Sequence, residues 1–175
     1  MRLGRLVAAL GFAPWGFLVS VPALGAEPAE SVGRWEQALR RCRLEHRPPA
    51  AQPNLPAEPL SCRSLRIDQQ LPGLLSLRLL GADSAAGSAA GQLVFAGVLE
   101  PGSRPLRCRQ LRCRPQGTVR MQVSAMARSG LPQDPGATAL LRSQLAQGRC
   151  VLQGKSLRCL ARGADGEEWR VEAQR

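Results

Sequence analysis

The segment LRCRQLRCRP, residues 106–115, sets two of the chain's six cysteines among four arginines. Cysteines at this spacing could hold a metal, cycle between thiol and disulfide, or simply close a loop. A tetrahedral metal site asks for two short cysteine pairs, or for cysteines combined with histidines. The single histidine, His46, lies beside prolines, and no second short pair exists. A structural disulfide is therefore the expected product, ahead of a redox pair or a metal clip. In strand geometry Cys108 points away from Arg107 and Arg109, and Cys113 away from Arg112 and Arg114. An exposed, disulfide-closed hairpin follows, presenting Arg107, Arg109, Arg112 and Arg114 as one cationic patch with Arg104 beside it. Planar, permanently charged guanidinium forks grip carboxylate, sulfate or phosphate groups bidentately. The same residues would also serve to blunt a sheet edge against aggregation.

Other chemistry is thinly represented. There is no G-x-S-x-G elbow, no H-E-x-x-H pair and no nucleotide fingerprint. The Gly154–Ser156 tripeptide GKS resembles the end of a phosphate-binding loop, but Arg149 stands where that loop needs a glycine and a strand follows where it needs a helix. His46 reads as an ordinary solvated side chain in a linker, and Glu167 and Glu168, adjoining a turn, are sent to opposite faces by alternation. No catalytic residue, metal ligand or cofactor is assigned. Trp35, Phe95 and Trp169, the aromatics beyond the leader, all fall on expected core faces, which leaves no stacking platform for specific nucleic-acid binding.

The elements that must position these residues begin after a leader. Residues 1–26 carry Arg2 and Arg5, an apolar run from Leu6 to about Leu24, and small residues at Ala23, Gly25 and Ala26, the pattern of a cleaved secretory signal peptide. No transmembrane segment is expected in the mature chain. Six cysteines with none left over then suit an oxidising compartment, the bacterial periplasm or the extracellular space. Of the 24 basic residues 23 are arginine, and the net charge of +11 falls to +9 without Arg2 and Arg5. Such a surface attracts anions, although a GC-rich coding bias would produce the same arginine excess.

Residues 27–175 are expected to form a single disulfide-stapled domain. In RCVLQGKSLRC, a two-residue turn at Gly154–Lys155 pairs Gln153 with Ser156, Leu152 with Leu157, Val151 with Arg158 and Cys150 with Cys159. A three-residue loop at Ala164–Gly166 independently pairs Ala161 with Trp169, Cys159 with Val171 and Leu157 with Ala173, which puts the apolar side chains on one face. Further strands are expected at about 62–69, 74–80, 92–99 and 118–127. Val32, Trp35, Leu39 and Cys42 at helical spacing predict an N-terminal helix over 27–46, about 28–45 in detail. A proline-rich linker follows at 47–60, and 83–91 reads as a connection. Asp134 as N-cap, Pro135 and Gly148 bracket a second helix carrying Leu140, Leu141 and Leu145. The remaining pair, Cys42 and Cys62, should cross the linker and pin the first helix to the first strand.

The expected class is α+β, an antiparallel-rich sheet of about seven to nine short strands with two packed helices. The functional expectation is an exported, non-catalytic binding or envelope-associated module whose arginine face meets an anionic polysaccharide, a lipid headgroup or an acidic protein. The alternative is a small secreted hydrolase whose site is assembled from scattered residues.

Overall fold

The computed structural model describes residues 32–49, 61–81, 91–104, 106–129 and 141–175. The expected signal peptide, most of the expected proline-rich linker, nearly all of the expected 83–91 connection and the expected helix start at Asp134–Pro135 lie outside the described residues. Eleven strands account for most of the rest: β1 (Gly33–Ala38), β2 (Arg41–Arg47), β3 (Cys62–Leu71), β4 (Leu74–Gly81), β5 (Gln92–Leu99), β6 (Arg107–Arg109), β7 (Arg112–Arg114), β8 (Val119–Ser129), β9 (Arg142–Gln153), β10 (Ser156–Gly163) and β11 (Glu168–Gln174). They form one sheet in the order β2-β11-β10-β9-β8-β5-β4-β3-β1-β7-β6, curled as a half-barrel.

The α+β expectation is thereby corrected. The described residues contain no helix, and the strand count exceeds the seven to nine expected. Where the first helix was expected, β1 and β2 run in succession with a bend at Leu39 and Arg40. β1 pairs with β3, from Gly33 opposite Gln69 to Ala38 opposite Ser64, while β2 pairs with β11, from Arg41 opposite Gln174 to Arg47 opposite Glu168. Trp35 is buried on odd parity and Leu44 and His46 on even parity. The change of phase at the bend spaces the apolar residues as a helix would.

The second helix fails for a different reason. Residues 142–148 belong to β9, where Leu145 points outward and is 75% exposed, as is much of Leu141. The inward positions are the small ones, Ala146 and Gly148, followed by Cys150 and Leu152. Gly148 is required there: a Cβ would lie 2.1 Å from the Leu160 carbonyl oxygen and 2.5 Å from the Ala161 Cα. It marks a close approach inside a strand, not the end of a helix.

Elsewhere the register follows from turn chemistry. Gly154 has φ of +57° and Lys155 has none of the positive values, as a type II′ turn demands, and all four expected pairs from Gln153–Ser156 to Cys150–Cys159 are present. Gly166, at φ +89°, ends the next turn, and Ala161–Trp169, Cys159–Val171 and Leu157–Ala173 pair as expected. β5 coincides with the strand expected at 92–99, β3 and β4 run two and one residues beyond those expected at 62–69 and 74–80, and β8 starts one residue later and ends two later than 118–127. Inward side chains from nearly every strand join one apolar cluster centred on Phe95, Leu65, Ile67, Met121, Trp169 and Val171. The cavity left between Ile67, Met121 and Leu152 is about 10 Å³, and its apolar lining offers a water no polar partner.

Three disulfides fasten this sheet: Cys42–Cys62, Cys108–Cys113 and Cys150–Cys159. Two lie within hairpins. The first joins β2 to β3 across a separation of 20 residues, with its Cα atoms 5.3 Å apart. It ties together the two halves of the curl, and in the chain-entropy model a loop of that size is worth about 3 kcal/mol. Replacing Cys42 and Cys62 together by alanine should lower the unfolding free energy by about that amount in a denaturant titration. The equivalent change at Cys108 and Cys113 should cost less, because the loop it closes is shorter.

Candidate functional site: an arginine hairpin at one end of the sheet

β6 and β7 form the hairpin that holds the opening motif, with Arg107 opposite Arg114, Cys108 opposite Cys113 and Arg109 opposite Arg112. Both cysteines are buried and all four arginines are exposed. The parity argument therefore places the side chains correctly. Arg104, also exposed, lies on the approach to β6. None of these five arginines has an acidic partner among the described residues.

The turn itself is unusual in its residues. Gln110 and Leu111 both adopt left-handed conformations, φ +50° and +62°, where asparagine and glycine are at ease and a leucine is not. Leu111 is 71% exposed at the tip. Its carbonyl accepts a hydrogen bond from the Arg34 backbone N–H at 2.8 Å, and β7 runs parallel to β1 at Arg34 and Arg112. Gly33 permits this approach, since a Cβ there would sit 2.5 Å from the Leu111 oxygen and 2.7 Å from Cys113 Sγ.

A second anchor lies beneath. Gln69, almost wholly buried, accepts from the Leu106 N–H at Oε1 (2.8 Å) and donates from Nε2 to the Leu106 carbonyl (3.4 Å). The amide behaves as a one-residue strand, docking the hairpin base while Leu106, Cys108 and Cys113 enter the core. Sequence reading missed Gln69. Its signal was a polar residue in phase with Leu65 and Ile67, on the inward side of β3.

Beside the hairpin runs an open groove of about 1110 Å³, lined by Arg34, Glu36, Asp68, Arg78, Arg112, Arg114 and Arg175 among others. Asp68 bonds Arg34 at 2.7 Å and reaches Arg78 at 3.5 Å, and Glu36 holds Arg66 at 3.2 Å. The Asp68 hydrogen bond and charge raise the Arg34 pKa, fixing its cation. Those acids are committed to arginines other than Arg112 and Arg114, so the groove wall formed by β7 keeps its positive charge.

Across the molecule, where β8 and β10 end and β11 begins, a different polar group is buried. Glu167 is 1% exposed; its Oε2 accepts from His46 Nε2 at 3.0 Å and from Arg128 Nη1, and its Oε1 accepts from Gln144 Nε2. His46 stacks on Trp169, with ring centroids 4.1 Å apart. The expectation of a solvated linker histidine is thus wrong: His46 is an inward residue of β2, 8% exposed. Glu167 and Glu168 do face opposite ways, Glu168 meeting Arg47 and Arg162 outside. Burial pushes the Glu167 carboxyl up, but the His46 hydrogen bond and the Arg128 charge outweigh it and hold the group below an ordinary glutamate's 4.5. With its oxygens occupied by three side-chain donors, this carboxylate is a fixed structural anion. The recess at its side, about 200 Å³, is below the size of usual ligand pockets.

No family model, curated protein or solved structure matches the chain.

Two outcomes are expected. Glu167 binds fewer protons folded than unfolded between its lowered pKa and 4.5, so its contribution is full at neutral pH and is lost as pH falls through that interval. Glu167→Gln should therefore flatten the acid limb of a stability–pH curve, and at pH 7 should cost about 2 kcal/mol by removing the charge that His46 and Arg128 bond. Gln69→Ala should cost about 2 kcal/mol by orphaning the Leu106 backbone groups. Hydrogen exchange should then show faster opening of β6 and β7 than of β10 and β11.

Proposed function

We propose that the protein is an exported, non-catalytic binding module of the cell envelope or its surroundings, and that the arginine hairpin is its contact with anionic groups. One observation carries this reading. Arg107 faces Arg114 and Arg109 faces Arg112 directly across two strands, with no carboxylate among the described residues to relieve them. Like charges set opposite one another destabilise a strand pair. Protecting a sheet edge asks for some charge on the strand and does not itself require four of one sign. Four guanidiniums on one face, brought together by a disulfide, instead match carboxylate, sulfate or phosphate groups spaced along a polymer or surface. The leader at 1–26 and the three disulfides support an exported location.

The test must separate a local grip from bulk charge. Replacing Arg107, Arg109, Arg112 and Arg114 by glutamine should lower affinity for immobilised dextran sulfate by about a hundredfold or more, taking roughly 1 kcal/mol per lost charge-assisted contact. Replacing the exposed Arg40, Arg41, Arg158 and Arg170 instead removes the same charge. That control should bind nearly as the parent does, at unchanged melting temperature. Equal losses in the two variants would reduce the patch to part of a general cationic surface.

A further inference from the structure

The hairpin arginines do not stand alone at their end of the sheet. Eight large apolar side chains are conspicuously exposed among the described residues, and five of them, Val32, Leu71, Leu74, Val98 and Leu111, lie along this one rim. Register traces the line. Val98 is paired with Leu74, and Leu74 with Leu71, so the three share the outer face. Val32 precedes Gly33, which is paired with Gln69 two residues before Leu71, and Gly33 packs directly beneath the Leu111 carbonyl. Leu71 is 60% exposed and Leu111 71%. We propose that this rim docks on the surface of an anionic phospholipid bilayer, Leu111 and Leu71 entering the interfacial layer while Arg107, Arg109, Arg112 and Arg114 hold headgroup phosphates.

The inference rests on the anion-binding reading above and gives the anion a source. Three features favour a bilayer over a polysaccharide or an acidic protein. Leucine occupies a left-handed turn position where asparagine or glycine would be relaxed, so the tip tolerates backbone strain while exposing an apolar side chain. Isolated aliphatic tips do nothing for a hydrated sugar polymer, and the rim has no aromatic among its exposed residues to stack on one. The apolar residues stand at a turn and along a sheet edge instead of framing a concavity, which suits a soft, deformable partner better than a protein pocket. Modest apolar insertion combined with basic side chains is the pairing by which peripheral proteins hold an anionic membrane, neither element sufficing alone.

Co-sedimentation with vesicles of equal parts phosphatidylglycerol and phosphatidylcholine decides the matter, with pure phosphatidylcholine vesicles and dextran sulfate beads beside it. The full oxidised protein should bind the mixed vesicles, ignore the neutral ones, and release at high salt. Leu111→Asn suits the left-handed turn and so keeps the hairpin; combined with Leu71→Thr it should weaken vesicle binding by about tenfold or more, the scale of one buried leucine. The same double variant should hold dextran sulfate as the parent does. The four-glutamine hairpin variant should lose both partners. If the parent binds dextran sulfate but not the mixed vesicles, or if the leucine variant binds vesicles undiminished, the bilayer is wrong and the anion-binding reading stands. If the parent binds vesicles and the four-glutamine variant does so equally, the arginine reading fails. Leucine-dependent binding to an acidic protein with none to vesicles would transfer the rim to a protein partner and overturn the proposal.

Discussion

Two consecutive backbone amides decide the shape of this molecule. Leu39 donates to the Arg63 carbonyl at 2.7 Å and Arg40 donates to the Gln174 carbonyl at 2.8 Å. Neighbouring N–H groups in an extended chain point to opposite sides, so one run of residues can serve two strands at once. Here those strands belong to opposite ends of the main sheet order, β3 on one side and β11 on the other. The run 33–47 thereby draws the curl together, and the Cys42–Cys62 bridge fixes the meeting covalently. Without it, β3 and β11 would each present a bare edge, the feature that makes isolated sheets associate.

Curling creates an inside, and the inside imposes parity on each strand. Residues of β3, β4, β10 and β11 alternate between buried and outward positions with little interruption. The polar residues caught on the inner side must then find partners, because a buried polar group without one costs more than the bond is worth in water. The two ends answer this differently. At one, Glu167 is satisfied by the side chains of His46, Arg128 and Gln144. At the other, Gln69 bonds the Leu106 backbone and reaches Cys108 Sγ, so these pairings require the hairpin to be docked.

How much of this was legible in the chain depended on whether a local rule had a competitor. The β9–β10–β11 registers could be read pair by pair, since two glycine turns and one apolar face all agreed on the same alignment. The outward arginines of the hairpin followed from cysteine parity alone. The region around Trp35 and Cys42 had no such agreement: a bent strand that switches its inward face imitates helical spacing, and only the far partners, β3 and β11, distinguish the two. In β9 the inward residues were too small to announce themselves, while the outward Leu145 was large enough to mislead. His46 was misplaced because its burial depends on Trp169 and Glu167, residues over a hundred positions away. Local chemistry revealed what hairpins determine; closure of the curl lay beyond it.

The hairpin is the place where local rules are broken, and its energetics explain why it is stapled. Two left-handed non-glycine residues cost roughly 1 to 2 kcal/mol each. Two facing arginine pairs add up to about 1 kcal/mol apiece at low salt. Against these stand a disulfide closing a very short loop, worth about 2 kcal/mol on the chain-entropy scale, the Gln69 and Arg34 backbone anchors, and the burial of Leu106. The opposing contributions are comparable, so the cross-link and the anchors together hold a conformation that the turn residues would not choose unaided. Asparagine and glycine at the turn, or glutamate in place of one arginine of each facing pair, would relieve the strain by two changes without disturbing the core. Leucine and four arginines at this tip are therefore not what the hairpin's own stability asks for, and on the reading proposed above they answer to the anionic surface it meets.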